Sequence, residues 1–513
     1  MNNMKFIGIR VCDHDSNITY SNGKKIKYYK SERDYQIKHH GFKDLNQWKK
    51  IIDMWDVSPS DIDAIGIVMD CFRYPNIECR EEKIYELIDI PFFNFLGFDC
   101  PIFRINHHYA HTLSSWPLGV KTDIDFVFDG FGDDWESHSI FKNNERIVRR
   151  SSNEFPSLGM VLAEIGVILE MQGLGLDYAG KIMAMKGYGR SKNINNQFSF
   201  ESFGLLKLWD YNYCAHMSRK IHNSVHGVDK IGKEFQEFFD HIRTCHEETE
   251  RIFVNYFKSH TSENDVISYS GGVAQNTIIN SEIKKVRPNL YIPPHCNDEG
   301  LSLGIVEFLR QYYDQEPFDN TGYPYWQSDE KPESDPSDET ISKTARLLSE
   351  GKIVGWYQGN GEVGSRALGN RSILMDPSVR NGKEILNKKV KRREWFRPFG
   401  ASILEEKTEK YFDWTGPSPY MLYVMDIINK KSFPSITHVD GTCRIQTVSS
   451  DLNFYYKLIS EFNEITGIPM LLNTSLNGGG KPICGSINGA VEIFSTTDID
   501  VLVIGDEIYE KNY

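Results

Sequence analysis

Residues 105–116, INHHYAHTLSSW, and residues 126–135, FVFDGFGDDW, decide how this chain is read. His107 and His111 stand four apart, so on a helix their imidazoles leave the same face. The apolar run 126–128 reads as a strand. It delivers Asp129 into a turn lined by Gly130 and Gly132, where backbone can approach an anion with no Cβ in the way. Two imidazoles and a carboxylate form a candidate metal site, and the turn beside it is a candidate phosphate site. Metal and nucleotide are therefore expected to share one cleft. Asp298, in HCNDEG at a loop-to-helix junction, is the candidate fourth ligand. A mixed nitrogen and oxygen donor set suits iron, zinc or manganese better than calcium or copper(I). His108 adjoins the pair and competes with it, although it faces another way.

Two further stretches repeat the pattern of strand, then turn with small or acidic residues: FIGIRVCDHDS (6–16) and VISYSGGVAQN (266–276). One SGG turn often just ends a strand. Three such turns with their flanking strands resemble the paired phosphate loops and the adenosine loop of the actin/sugar-kinase/heat-shock ATPase fold. Apolar runs at 6–11 and 64–69 alternate with helical patterns such as 45–55, which predicts an α/β domain. A long apolar pattern (158–171), a mostly helical middle (198–260) and a strand (266–269) follow. The stretch WQSDEKPESDPSDE, from Trp326, is acidic, contains Pro and Ser, and is poor in apolar residues, which is linker composition. It divides the chain into a first domain, 1–326, a linker, 327–340, and a second domain, 341–513. The second opens with TISKTARLLSEGKIVGWYQ, read as helix, glycine stop and strand.

At 513 residues the chain is too long for one core. Its 40% hydrophobic and 25% charged residues are ordinary soluble-protein values. No apolar run approaches bilayer length, so no membrane partner is expected. The opening MNNMKFIGIRV reads as a strand, lacking the basic region, long apolar core and small-residue cleavage site of a signal peptide. A cytoplasmic location is expected. The nine cysteines (Cys12, Cys71, Cys79, Cys100, Cys214, Cys245, Cys296, Cys443, Cys484) are scattered without CxxC pairing. That argues against thiolate zinc and against a disulfide framework, and leaves each as a small buried hydrophobe. A net charge of −13 opposes binding to a nucleic-acid polymer.

Cations are nevertheless concentrated locally. GKIMAMKGYGR interleaves Lys181, Lys186 and Arg190 with glycines, and reads equally as a triphosphate neutraliser or a solvated loop. In the second domain, GNGEVGSRALGNRSILMDP supplies Arg366 and Arg371, and NKKVKRREWFRPFG supplies Lys391, Arg392, Arg393 and Arg397. Guanidinium forks match phosphate oxygens at two points. These cations alternate with glycines and aromatics, which favours an enclosed anion pocket over a solvated basic face. HVDGTCRIQT (His438, Arg444, Gln446) and LLNTSLNGGGKPI (Asn473, Thr474, Lys481) add donors.

The strings HDS, HHYAH, DGFGDD, SGGVAQN, GSRALGNRSILMDP, KRREWFRPFG, HVDGTCRIQT and LNTSLNGGGKPI occur in that order from Phe6 to the end. Together they resemble the NodU/CmcH-type O-carbamoyltransferases. The resemblance implies an actin/sugar-kinase/heat-shock-ATPase-like domain followed by a YrdC-like α/β domain. It implies that carbamoyl phosphate is cleaved in the second domain, that the carbamate reacts with ATP in the first to give carbamoyl-adenylate and pyrophosphate, and that a small-molecule hydroxyl accepts the carbamoyl group. It puts iron, among divalent metals, on His107, His111, Asp129 and Asp298, with magnesium accompanying ATP. It implicates His14 near the reacting carbamoyl group, with His108 and Arg397 as the other catalytic candidates. The expected nucleotide and donor contacts are Asp15, Gly130, Gly132, Lys181, Lys186, Gly271, Gly272, Asn276, Arg366, Arg371, Lys391, Arg392, Arg444, Asn473 and Thr474. The expected partners are carbamoyl phosphate, the acceptor (a natural product, sugar or hydroxymethyl-pyrimidine nucleotide) and a second copy in a homodimer. The alternatives are threonylcarbamoyl-type modification of tRNA, which the net charge opposes, and a non-catalytic nucleotide-binding protein, which an intact ligand and arginine set opposes. The chain departs from the family pattern in KIMAMKGYG, where a smaller residue and a proline are usual, and in GGK, where an acidic residue and proline are usual.

Overall fold

The computed structural model describes residues 3–69, 83–89, 96–171, 173, 175–193, 198, 204–224 and 235–511. Cys71 and Cys79 lie outside the described residues. Three sheets organise the chain.

The first contains β1 (Phe6–Val11), β2 (Asn17–Ser21), β3 (Ile26–Lys30), β4 (Ala64–Met69), β5 (Tyr85–Leu87) and β6 (Ile102–Ile105), in the order β3-β2-β1-β4-β6-β5. Strand β1 runs antiparallel to β2 and parallel to β4, which is parallel to β6. The second contains β7 (Ile124–Phe128), β8 (Glu136–Lys142), β9 (Glu145–Ser151), β10 (Ile267–Ser270) and β11 (Leu290–Tyr291), in the order β11-β10-β7-β8-β9. Here β7, β8 and β9 form an antiparallel meander, and β7, β10 and β11 are parallel. The two sheets thus repeat one unit: a three-stranded meander whose first strand starts a parallel run. Strands β4 and β7 are buried along their whole length because helices cover both faces of such runs. This duplicated topology is the actin/sugar-kinase/heat-shock ATPase architecture that the three turns anticipate.

The duplication explains what meets at the centre. The β1–β2 turn carries His14 and Asp15, and the β7–β8 turn carries Asp129, Gly130 and Gly132. Strand β6 feeds the helix His107–Leu113, and β11 leads through Asp298 into the helix Leu301–Tyr312. These two helices pack against each other at Gly304, where a Cβ would run into the Ala110 carbonyl oxygen. Ala110 lies between His107 and His111, so this backbone-to-backbone contact brings the imidazoles towards Asp298.

The third sheet is mixed, in the order β15-β16-β14-β17-β13-β12-β18-β19. Its strands are β12 (Val354–Tyr357), β13 (Arg371–Met375), β14 (Gly400–Leu404), β15 (Tyr423–Asp426), β16 (Thr442–Val448), β17 (Met470–Ser475), β18 (Val501–Ile504) and β19 (Glu507–Glu510). Helices Asp338–Ser349 and Asn453–Thr466 cover one face through Ile341, Leu348, Leu458 and Phe462. The acidic stretch before them is anchored: Gln327 bridges to Tyr28 and Gly361, and the Asp329 carboxylate is buried 3.8 Å from both Arg33 and Arg371. Cys12, Cys214, Cys245, Cys296, Cys443 and Cys484 are buried free thiols, and Cys100 is a half-buried one. Among the described residues, no helix is long and apolar enough to cross a membrane.

Candidate active site

The helix His107–Leu113 starts where Asn106 caps it, accepting from the Tyr109 N–H at 3.1 Å, while the His107 N–H donates to Asp133 at 2.9 Å. His107 Nε2 and His111 Nε2 lie 3.2 Å apart. Asp129 Oδ2 is 3.0 and 3.3 Å from them, and Asp298 Oδ1 is 3.2 and 3.3 Å from them. Each carboxylate commits its other oxygen elsewhere. Asp129 Oδ1 accepts from the Gly130 and Gly272 N–H groups at 2.8 and 2.9 Å, and Asp298 Oδ2 accepts from Arg10 at 2.8 Å. Gly271 makes the Gly272 contact possible. Its φ of +90° and its lack of a Cβ let the turn lie against the Phe128 carbonyl.

Four buried donors converging from three segments fit a divalent metal. Ligand atoms about 2.0–2.1 Å from a common centre stand about 2.8–3.0 Å apart in octahedral and about 3.3–3.4 Å apart in tetrahedral arrangement, which brackets the separations here. The electrostatics agree. Burial alone would depress the His107 pKa, yet the Asp298 carboxylate, with hydrogen bonds to Asp129 and Asp298, lifts it to about 10. Burial opposes ionisation of Asp298, but His107 and Arg10 hold its carboxyl well below the usual range. The pocket therefore demands positive charge at its centre, and a divalent cation would supply it.

Beside this cluster, Asp15 is buried and accepts from two histidines, His14 Nδ1 at 3.2 Å and His39 Nδ1 at 3.0 Å. Burial works against a charged His14, but the hydrogen bonds to Asp15 and Cys12, with the Asp298 charge, together outweigh it and raise its pKa to about 11. Neither Arg10 nor His39 was singled out by the sequence. A guanidinium inside the apolar run FIGIRV was the available signal for Arg10, and no local signal marks His39.

One cavity of about 1630 Å³ joins the two halves. On the first-domain side it is lined by His39, Lys181, Gly272, Asn276 and Asn297, and on the other by Arg366, Lys391, Arg392, Arg393, Arg397, Arg444, Asn473 and Thr474. Gly272 and Asn297 adjoin the metal cluster in space and in sequence. Arg366 and Arg444 each keep a buried Nε without a partner. Burial, then Arg366, lowers the Arg444 pKa to about 9, and burial with neighbouring cations pushes Lys391 and Arg393 well below their usual values. Buried cations that repel one another call for an anion. Asn473 on β17 donates to Ser402 Oγ at 2.9 Å, and Asn276 caps the helix Thr277–Val286 and bonds His246 at 3.2 Å.

Several candidates do other work. Arg371 is no pocket residue: its guanidinium donates to the Glu330, Gln358, Gly359 and Asn370 carbonyls and stacks 3.6 Å over Tyr357. Lys186 is likewise outside the lining, held by buried Glu250, which also bonds His246 at 2.5 Å. His108 is fully buried beneath Gly132, with Nδ1 2.9 Å from Ser139 Oγ, so it does not reach the cavity as a catalytic group would. Gly130 and Gly272 spend their N–H groups on Asp129 and thereby orient a ligand. Arg392 lines the cavity but is exposed, with Nη2 on the Thr496 carbonyl.

Comparison with known proteins gives this site its context. The model for the carbamoyltransferase N-terminus matches residues 96–306, and that for the carbamoyltransferase C-terminus matches residues 345–511. Nodulation protein NolNO of Sinorhizobium fredii is 31% identical over 438 residues, covering 79% of this chain and 64% of that protein. Nodulation protein NolO of Bradyrhizobium diazoefficiens is 30% identical over 439 residues, 79% of each chain. A 3'-hydroxymethylcephem-O-carbamoyltransferase of Streptomyces clavuligerus is 29% identical over 347 residues, 66% of this chain and 65% of that one. This chain thus spans just under two thirds of the first and third of these relatives. The matches run through the metal cluster and the cationic pocket alike, and the chain belongs to the carbamoyltransferase family.

Proposed function

We propose that this protein carbamoylates a hydroxyl group of a small molecule, taking the carbamoyl group from carbamoyl phosphate and activating it with ATP as carbamoyl-adenylate. The observation that carries the reading is the single cavity, with uncompensated buried cations at one end and the flank of a four-ligand cluster at the other.

In this reading Arg366, Lys391, Arg393, Arg397 and Arg444 bind the donor phosphate while a water attacks the donor, and they stabilise the phosphate as it departs and leaves carbamate. The carbamate, unstable in water, stays inside the cavity and reaches the first domain. There its oxygen attacks the α-phosphorus of ATP and pyrophosphate leaves. The acceptor hydroxyl then attacks the carbamoyl carbon, its proton leaves with the departing AMP phosphate, and His14, held protonated by Asp15, stabilises the charge that builds on the carbonyl oxygen. His107, His111, Asp129 and Asp298 would hold a divalent metal whose Lewis acidity polarises phosphate and carbonyl oxygens.

The test incubates the protein with carbamoyl phosphate, ATP and a panel of alcohols, following pyrophosphate release and the mass gain of one carbamoyl group. Pyrophosphate release dependent on both substrates, with carbamoylated product, is expected. ATP turnover without dependence on carbamoyl phosphate overturns the reading.

A further inference from the structure

Among the described residues, Glu394 is the sole carboxylate within 4.0 Å of any cation in the group Arg366, Lys391, Arg393, Arg397 and Arg444. It sits in the middle of the KRREWFRPF segment, buried, and its closer salt bridge is to a cation outside that group. One oxygen, Oε1, pairs with Lys181 on the first-domain helix Gly175–Lys186, and both side chains are only 7% exposed. The other, Oε2, is buried without a hydrogen-bond partner and stops 3.6 Å from Arg397 Nη1. Two contacts fix this helix against the segment and its neighbour: His438 Nε2 lies 3.1 Å from the Ala184 carbonyl, and the Tyr188 and Trp395 rings stand 5.0 Å apart.

We propose that Lys181, reaching across from the first domain, sets the anion affinity of the second domain's pocket by keeping the 3.6 Å approach of Glu394 to Arg397 from closing into a hydrogen-bonded pair. The inference rests on reading that pocket as the donor's phosphate site. An unpaired buried carboxylate turns to the nearest cation. Without Lys181 that cation is Arg397, and the Arg397–Glu394 pair then competes with an arriving phosphate for the same guanidinium. With Lys181 in place, Glu394 is neutralised from the other side and Arg397 stays available. Lys181 is therefore a positioning residue for the cationic end of a cavity whose first-domain wall it lines. A polyphosphate that drew Lys181 away in the first domain would turn Glu394 onto Arg397 and hasten the loss of product phosphate.

The sign of each substitution follows. Inorganic phosphate binding to the full-length protein, read by titration calorimetry, should tighten about tenfold in Glu394→Gln and weaken about tenfold in Lys181→Met. Lys181→Arg, which keeps the pair, should match the unaltered protein. The double variant Lys181→Met/Glu394→Gln should bind within about twofold of Glu394→Gln alone, because Lys181 then has no carboxylate to restrain. An equal fold-change from Lys181→Met in both backgrounds overturns the inference while leaving the donor pocket standing. Phosphate that binds none of the proteins, the unaltered one included, overturns the donor pocket and this inference with it.

Discussion

Arg10 Nη2 donates to Asp298 Oδ2 at 2.8 Å, and this bond leaves Asp298 Oδ1 directed at both His107 and His111. The guanidinium is buried, so it acts as a fixed support that selects which carboxylate oxygen faces the cluster. Supports of this kind orient metal ligands and tune their charge. Arg10→Met should weaken divalent-metal retention by about 10- to 100-fold while the circular dichroism spectrum is preserved. Metal content after dialysis against a graded chelator measures this. Unchanged retention would show that Asp298 needs no such support.

The helix contact at Gly304 makes a second prediction. Gly304→Ala puts a methyl group against the Ala110 carbonyl, and two helices cannot part there without moving His107 and His111 away from Asp298. Overpacking at such a crossing costs about 1–3 kcal/mol. Both a lower Tm and a lower metal content should result, whereas a purely structural defect would lower Tm and leave metal binding intact. Thermal denaturation and metal analysis on the same preparation separate the two.

What the sequence made legible is the local part of this site. His107 and His111 declare themselves by helical spacing, Asp129 by ending an apolar strand in glycines, and Asp298 by its loop-to-helix junction. The duplicated sheets follow from three similar turns. Illegible were the partnerships made across distance. Lys181 and Lys186 look alike in GKIMAMKGYGR, yet one meets Glu394 and the other Glu250, and nothing near either lysine reports it. Arg366 and Arg371 share one glycine-rich string, but five residues turn the chain from the pocket wall into β13, where carbonyls rather than a ligand take the guanidinium. His108 follows the same rule: its type suggested catalysis, and its face of the helix buried it.

That contrast between the arginines is testable. Arg444 lines the cavity with a buried, partnerless Nε, so Arg444→Ala should remove a charge-assisted contact worth about 1.5–3 kcal/mol and raise the KM for carbamoyl phosphate accordingly. Arg371→Met should leave that KM unchanged and lower stability by about 3 kcal/mol, since buried carbonyls lose their donor. Steady-state kinetics beside denaturant unfolding distinguish the two. The reverse pattern would exchange their roles.

The last prediction concerns Asp125 on β7, four residues before the candidate metal ligand Asp129. Burial raises its pKa from 3.8 to about 6, despite hydrogen bonds from Ser268 and Thr122. A carboxyl with a higher pKa in the folded state binds more protons there than in the unfolded state. Its contribution to stability is therefore greatest below pH 3.8, falls as pH rises to about 6 and stays low above that. A carboxyl pKa raised from 3.8 to about 6 corresponds to about 3 kcal/mol at neutral pH. Both hydroxyls donate to the same oxygen, Oδ1, which an asparagine retains. Asp125→Asn should therefore raise Tm at pH 7.5 by about 5 °C and flatten the slope of Tm between pH 4 and 6. A variant no more stable at pH 7.5 than at pH 4, relative to the unaltered protein, would mean that Asp125 is well solvated in the fold and keeps its ordinary pKa.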